Sequence, residues 1–278
     1  MDIVSLAAKA QKLKSLIDGP DILVLPNSWD AGSARIVEEA GFPVIATSSG
    51  GVAWSLGYPD GEHISRDEML FVVKRISCSV GVPVTADMET GYGDTPETVA
   101  DTVMATLSAG AVGANFEDSQ YSSNGRKLRE FEDSVERIKA ARAAADSAGV
   151  HFVINARTDT FHGGGSDQSF VDAVRRGNAY MQAGADCIFI PFLNDIDTIK
   201  RLVNSIQGPI NILAGASAPT VPELEEAGVA RVSIGGLFSL LSYSYVRTAC
   251  QQLKNDGTFR WGENALAHPE MNGLMASG

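Results

Sequence analysis

Val84-Thr85-Ala86-Asp87-Met88-Glu89-Thr90-Gly91-Tyr92-Gly93-Asp94-Thr95-Pro96-Glu97 reads, in order, as a buried strand, an acidic strand end, a tight turn and a capped helix start. Val84 to Ala86 carry no charge, as expected of a strand covered on both faces. Thr95 before Pro96 is a helix cap followed by a first-turn proline. The same unit recurs along the chain. Strand-like runs stand at 22–26, 44–48, 84–89, 113–117, 152–157, 187–191, 210–214 and 231–234, with amphipathic stretches such as 96–109, 132–148 and 170–183 between them. Gly41, Gly110, Gly149, Gly184 and Gly228 mark helix ends, and Ser65-Arg66-Asp67-Glu68 has capping-box spacing. Eight strand-then-helix units predict a closed (β/α)8 TIM barrel of the α/β class rather than an open sheet. The barrel is expected over about residues 20–254 of a single domain spanning 1–278. Leu6, Ala10, Leu13 and Ile17 predict an N-terminal helix packed on it, and residues 255–278 read as a C-terminal extension.

Composition narrows the function. The chain has 278 residues, 44% hydrophobic and 20% charged, with a net charge of −12. That charge gives no attraction to nucleic acid or to an anionic membrane. Small anionic substrates remain open, because a bound cation reverses the local sign. Cys78, Cys187 and Cys250 show neither disulfide nor metal-ligand spacing and read as reduced thiols of a cytoplasmic protein. No apolar run is long enough to span a membrane, and no secretory signal is evident.

Active sites of barrels lie at the carboxyl ends of the strands. There the chain places Asn27, Ser49, Asp87, Glu89, Glu117, Arg157 and Asn211, and Asp60 follows in the Tyr58-Pro59-Asp60-Gly61 turn. Carboxylates gathered from distant segments repel one another unless a cation is shared between them. Asp60, Asp87, Glu89 and Glu117 are therefore candidates for a divalent-metal site, and the chain for an enzyme.

Several stretches together carry a resemblance: Leu25-Pro26-Asn27-Ser28-Trp29-Asp30, Thr47-Ser48-Ser49-Gly50-Gly51-Val52-Ala53, Leu56-Gly57-Tyr58-Pro59-Asp60-Gly61, the Asp87-to-Gly93 run and Asn155-Ala156-Arg157-Thr158-Asp159. In order and spacing the chain resembles the isocitrate lyase/phosphoenolpyruvate mutase superfamily. The resemblance implies that Asp87 ligates Mg2+ directly (Mn2+ being the alternative ion), with Asp60, Glu89 and Glu117 holding its waters. It implies that Arg157 pairs with a substrate carboxylate or phosphonate, and that the backbone N–H groups of Ser49, Gly50 and Gly51 hold a carboxylate. Asn211 is a further candidate for substrate binding. Tetramers are common in this superfamily, so a homo-oligomer is expected.

The chain also departs from the superfamily. Isocitrate and methylisocitrate lyases carry a cysteine-containing loop after the fourth strand; here the segment is Ser119-Gln120-Tyr121-Ser122-Ser123-Asn124-Gly125-Arg126-Lys127. They also place a glutamate after the sixth strand, where this chain has Ile190-Pro191-Phe192. Isocitrate lyase proper is therefore rejected. Asn124 stands where the phosphonate branch has an asparagine, without the preceding lysine and threonine. The leading expectation is a Mg2+-dependent lyase that cleaves a C–C bond in a small 2-hydroxy- or 2-oxo-dicarboxylate through a pyruvate-like enolate. Tyr121, Ser123 and a metal-bound water are its candidate proton donors. P–C chemistry, as a phosphonomutase or phosphonopyruvate hydrolase, is the alternative, and a non-catalytic 2-oxo-acid binder a third.

Overall fold

In a computed structural model, which describes residues 2–122 and 125–276, the strand-like runs form one parallel sheet closed into a barrel. The first run is split by Pro26 into β1 (Leu23–Leu25) and β2 (Asn27–Ser28). Proline has no N–H to give a ladder, and here the strand changes partner. β1 pairs with β11 (Arg231–Ser233), and β2 pairs with β3 (Ile45–Thr47). One run thus carries both seams. Between them lie β4 (Val84–Asp87), β5 (Gly113–Glu117), β8 (Val153–Arg157), β9 (Cys187–Ile190) and β10 (Ile210–Leu213), each parallel to its neighbours.

Helices cover the outside. α1 (Ile3–Ile17) buries Leu6, Ala10, Leu13 and Ile17, the spacing read from the sequence. Burying each large aliphatic side chain contributes roughly 1.5–3 kcal/mol. Leu13 reaches the start of β5 because position 113 lacks a side chain: a Cβ there would stand 3.1 Å from Leu13 and 2.8 Å from the Val153 carbonyl. α4 (Arg66–Ser79) opens on the expected Ser65–Glu68 capping box, and α5 (Pro96–Ser108) on Thr95. α6 (Phe131–Ser147) and α7 (Asp167–Gln182) follow the next strands. Among the described residues, no helix is long and apolar enough to cross a membrane.

Three features differ from the sequence reading. Segment 119–127, the counterpart of the superfamily's loop, contains an antiparallel hairpin of β6 (Ser119–Ser122) and β7 (Gly125–Leu128). Ser49 to Gly51, whose N–H groups were expected to hold a carboxylate, form the first turn of a short helix, α3 (Ser49–Ser55), capped by Ser48. After β11, α10 (Leu237–Asp256) runs on with Leu240, Leu241, Tyr245 and Val246 about half exposed (49–56%). The chain then returns through α11 (His268–Ala276), where Arg35 Nε donates to the Leu274 carbonyl at 2.9 Å.

Candidate active site

Alternation along each strand decides which side chains face the barrel interior. From β4 it turns Thr85 and Asp87 inward, from β5 Asn115 and Glu117, and from β8 Asn155 and Arg157. Contacts across the barrel fit this: Asn155 Nδ2 donates to Asn115 Oδ1 at 2.7 Å, and Asn115 Nδ2 reaches Asp87 Oδ1 at 3.4 Å. A cleft of about 310 Å³ opens above this layer. Its polar wall includes Ser49, Asp60, Asp87, Asn115, Arg126 and Arg157, and its apolar wall Trp54, Phe189, Phe192 and Leu213.

Asp87 accepts from Ser49 Oγ at 2.8 Å and from the Ser49 N–H at 3.3 Å. Asp60 stands against the bare backbone of Gly50, where a Cβ would lie 3.1 Å from its Oδ2. Burial, then the nearby Asp87, raises the Asp60 carboxyl above its ordinary range. Glu89 is raised to about 9, by burial and then by Asp87, Asp60, Glu117 and Glu62. Its Oε2 accepts the Glu62 N–H at 2.6 Å, while its buried Oε1 has no partner.

Glu62, which the sequence reading passed over, ties this corner together. Its Oε1 accepts from the Thr90 N–H at 2.9 Å, the Thr90 hydroxyl at 2.6 Å and the Tyr92 N–H at 3.0 Å. Glu62, Glu89 and Tyr92 all have positive φ, at 59°, 50° and 60°. Each such residue costs about 1–2 kcal/mol in backbone strain, so interlocking hydrogen bonds must hold them.

Opposite the acids lies an ion-pair network. Arg157 Nη1 meets Glu117 Oε2 at 2.9 Å, and its Nε meets Asp159 Oδ1 at 2.8 Å. The hairpin adds Arg126, whose Nη2 lies 2.7 Å from Glu117 Oε1, and Tyr121, whose hydroxyl donates to that oxygen at 2.7 Å. Burial pushes Asp159 up, but Arg157 and Arg126 outweigh it and hold the group below the usual carboxylate range. Burial, and then the Glu117 charge, keeps the Tyr121 phenol protonated well above its ordinary range. Two guanidiniums balance two carboxylates. An incoming substrate carboxylate must therefore share Arg157 or Arg126 with these residues.

The site residues expected from sequence are distributed as follows. Ser49, Gly50, Asp60, Asp87 and Arg157 line the cleft. Glu117 is held in the arginine network and Glu89 behind it. Gly51 N–H is taken by Ser48 Oγ at 3.1 Å, so it serves the helix cap. Asn211 is wholly buried in the interior layer, with its Nδ2 3.4 Å from Ser233 Oγ. Ser123 and Asn124 lie outside the described residues. Arg126 and Glu62 were missed because each acts through tertiary neighbours, and only the Gly125-Arg126 step and the acidic run around Asp60 hinted at them. Arg231 was missed as well. It is fully buried in the same layer, with Nη2 3.5 Å from Asn115 Oδ1 and with Nε and Nη1 unpartnered.

Among the described residues, no three His, Cys, Asp or Glu side chains converge closely enough to enclose a metal ion directly. The arrangement fits a hydrated ion instead. Asp60 and Asp87 line the open cleft, Glu89 keeps an unpartnered buried oxygen, and burial followed by the nearby acids raises the proton affinity of Asp60 and Glu89. Mg2+ suits such a place, since it keeps several waters and takes few carboxylates.

Residues 13–254 match the family model for phosphoenolpyruvate phosphomutase. The chain is 33% identical to 2,3-dimethylmalate lyase of Eubacterium barkeri, over 96% of this chain and 93% of that protein. A Burkholderia cenocepacia J2315 structure assigned as a lyase/mutase superposes with a TM-score of 0.92 at 35% identity, covering 98% of this chain and 97% of that one. Phosphonopyruvate hydrolase, solved with oxalate and Mg2+, superposes with a TM-score of 0.84 at 28% identity over 97% of this chain and 95% of that chain.

Proposed function

Because the chain belongs to the phosphoenolpyruvate phosphomutase family, whose wider superfamily includes isocitrate lyase, we propose that it is a Mg2+-dependent lyase cleaving a C–C bond in a small 2-hydroxy- or 2-oxo-dicarboxylate through a pyruvate-like enolate. One observation supports this above the others: Asp60 and Asp87 face Arg126 and Arg157 across a single small cleft, with the buried Glu89 carboxyl raised to about 9 close by. Asp87 would hold the ion, and Asp60, Glu89 and Glu117 its waters. Bound Mg2+ supplies a Lewis acid that stabilises negative charge on the substrate oxygens.

The protein's own groups do the rest. Arg157, with Arg126 beside it, would take the distal carboxylate in a charge-assisted pair. Ser49 and Gly50, at the start of α3, would receive the carboxylate next to the reacting carbon, with the Ser49 N–H and hydroxyl shared with Asp87. Arg126 of the hairpin forms part of the cleft wall, beside Arg157. Tyr121 is the described candidate for proton donor; burial and Glu117 keep it protonated but make it a weak acid, and its hydroxyl donates to Glu117 at 2.7 Å. Incubating the purified protein with malate-type and oxaloacetate-type acids should release pyruvate or glyoxylate, and EDTA should abolish that release. If no acid in such a panel yields metal-dependent product, the lyase reading fails.

P–C cleavage is the second reading, supported by the likeness to phosphonopyruvate hydrolase. Against it stands the charge balance, since both guanidiniums already face carboxylates and little positive charge is left for a phosphonate dianion. Loss of the phosphonopyruvate C–P signal in phosphorus NMR would favour this second reading.

A further inference from the structure

Arg231 has no part in the chemistry above, yet it carries a charge into the interior of the barrel. It opens β11, level with Leu23 of β1 and Asn211 of β10, and is wholly buried. Burial pushes its guanidinium down to about 10, so it stays protonated at neutral pH. Among the described residues no carboxylate pairs with it, and its Nε and Nη1 have no partner. Arg126 and Arg157, by contrast, each face two carboxylates. An unpaired guanidinium in a core is costly, and an apolar side chain of similar volume is often tolerated better. Packing alone gives no reason for an arginine here.

Its neighbours show what the charge acts on. Nη2 lies 3.5 Å from Asn115 Oδ1, which also accepts from Asn155 Nδ2 at 2.7 Å. Arginine has donors only, so Asn115 turns its oxygen toward it and its amide nitrogen away. That nitrogen reaches Asp87 Oδ1 at 3.4 Å, while Ser49 Oγ donates to the other Asp87 oxygen at 2.8 Å. Arg231 thus stands two hydrogen-bond steps beneath the carboxylate that would anchor the ion. Asp87 and Cys187 are the two groups whose charge favours its protonated form.

We propose that Arg231 is a positioning residue whose fixed charge makes Mg2+ and a small dianionic acid bind together and keeps the site from holding the metal tightly alone. A positive charge beneath Asp87 opposes a dication arriving there. The same charge favours the negative acid that follows. It sits away from solvent, where salt screens it less than a surface group. Across roughly 10 Å, at an effective dielectric between about 20 and 80, a unit charge acting on a divalent ion changes its affinity on the order of tenfold. The charges of the two ligands cancel, so the product of their affinities should hardly depend on Arg231. This inference rests on the acids of the cleft holding Mg2+.

Calorimetry on the full chain reads the two steps without turnover: Mg2+ into the free protein, then oxalate into the Mg2+-loaded protein. In Arg231→Met, Mg2+ should bind about tenfold more tightly and oxalate about tenfold more weakly. Arg231→Gln keeps a donor for Asn115 but carries no charge, and it should match Arg231→Met. Opposite signs are the mark of a charge, because a purely structural role would weaken both steps together. If both affinities fall, or neither moves, Arg231 is structural and the metal site stands. Wild-type affinities in Arg231→Gln would also overturn the inference, since the hydrogen bond and not the charge would then be at work. If the wild type takes up no Mg2+ with or without oxalate, the metal reading falls and takes this inference with it.

Discussion

Replacing Glu89 with glutamine removes a buried carboxyl that burial and the neighbouring acids together hold well above its ordinary range. In the metal-free protein the Glu89 carboxyl is raised from 4.5 to about 9, while in the unfolded chain it titrates near the lower value. Between those limits the folded state keeps a proton that the unfolded state has lost. Its stabilising effect is therefore complete below pH 4.5 and drains away as pH rises, by about 1.4 kcal/mol per unit. Between pH 6 and pH 8 the wild type should lose about 2.7 kcal/mol from this group alone. That corresponds to roughly 5 °C in Tm for a chain of this size. Glutamine keeps the shape and the acceptor for the Glu62 N–H but cannot titrate. Urea unfolding in EDTA at pH 6, 7 and 8 compares the two proteins, and Glu89→Gln should lack this share of the pH slope. Saturating Mg2+ should flatten the wild-type slope and release about one proton per ion near pH 7, read from the buffer dependence of the binding enthalpy. Equal pH slopes for the metal-free wild type and the variant would refute the reasoning, because the carboxylates would then not share one unscreened space.

Other consequences are open to simpler measurements. Gly50→Ala should push its Cβ against Asp60 and Trp54, weakening Mg2+ binding about tenfold in calorimetry with little change in Tm. Arg157→Lys should lower kcat/KM on the order of 100-fold, because an ammonium cannot face Glu117 and Asp159 while also taking a substrate carboxylate as a planar fork does. The exposed apolar face of α10 should be covered in an oligomer. Native mass should be about four times 29.4 kDa, and Leu241→Glu with Val246→Glu should reduce it.

Local chemistry made much of this protein legible in its sequence. Apolar strand runs, capping residues and glycine helix ends depend on neighbours a few residues away, so the barrel and its helices could be read directly from the order of residues. The acids at 60, 87, 89 and 117 were visible for the same reason, each sitting just past a strand or in a turn. What those acids touch was not visible. Glu117 lies against Arg126 and Arg157, and Glu89 accepts from Glu62, 27 residues away. Pro26 looked like the end of a strand, yet it is the point where one strand passes from β11 to β3 and the barrel closes. Asn211 looked like a mouth residue, and strand alternation with barrel shear put it in the layer below. Pairing, register and burial set how charges meet, and these belong to the closed barrel as a whole. The sequence determined which groups were available; the tertiary structure alone decided which of them share a space.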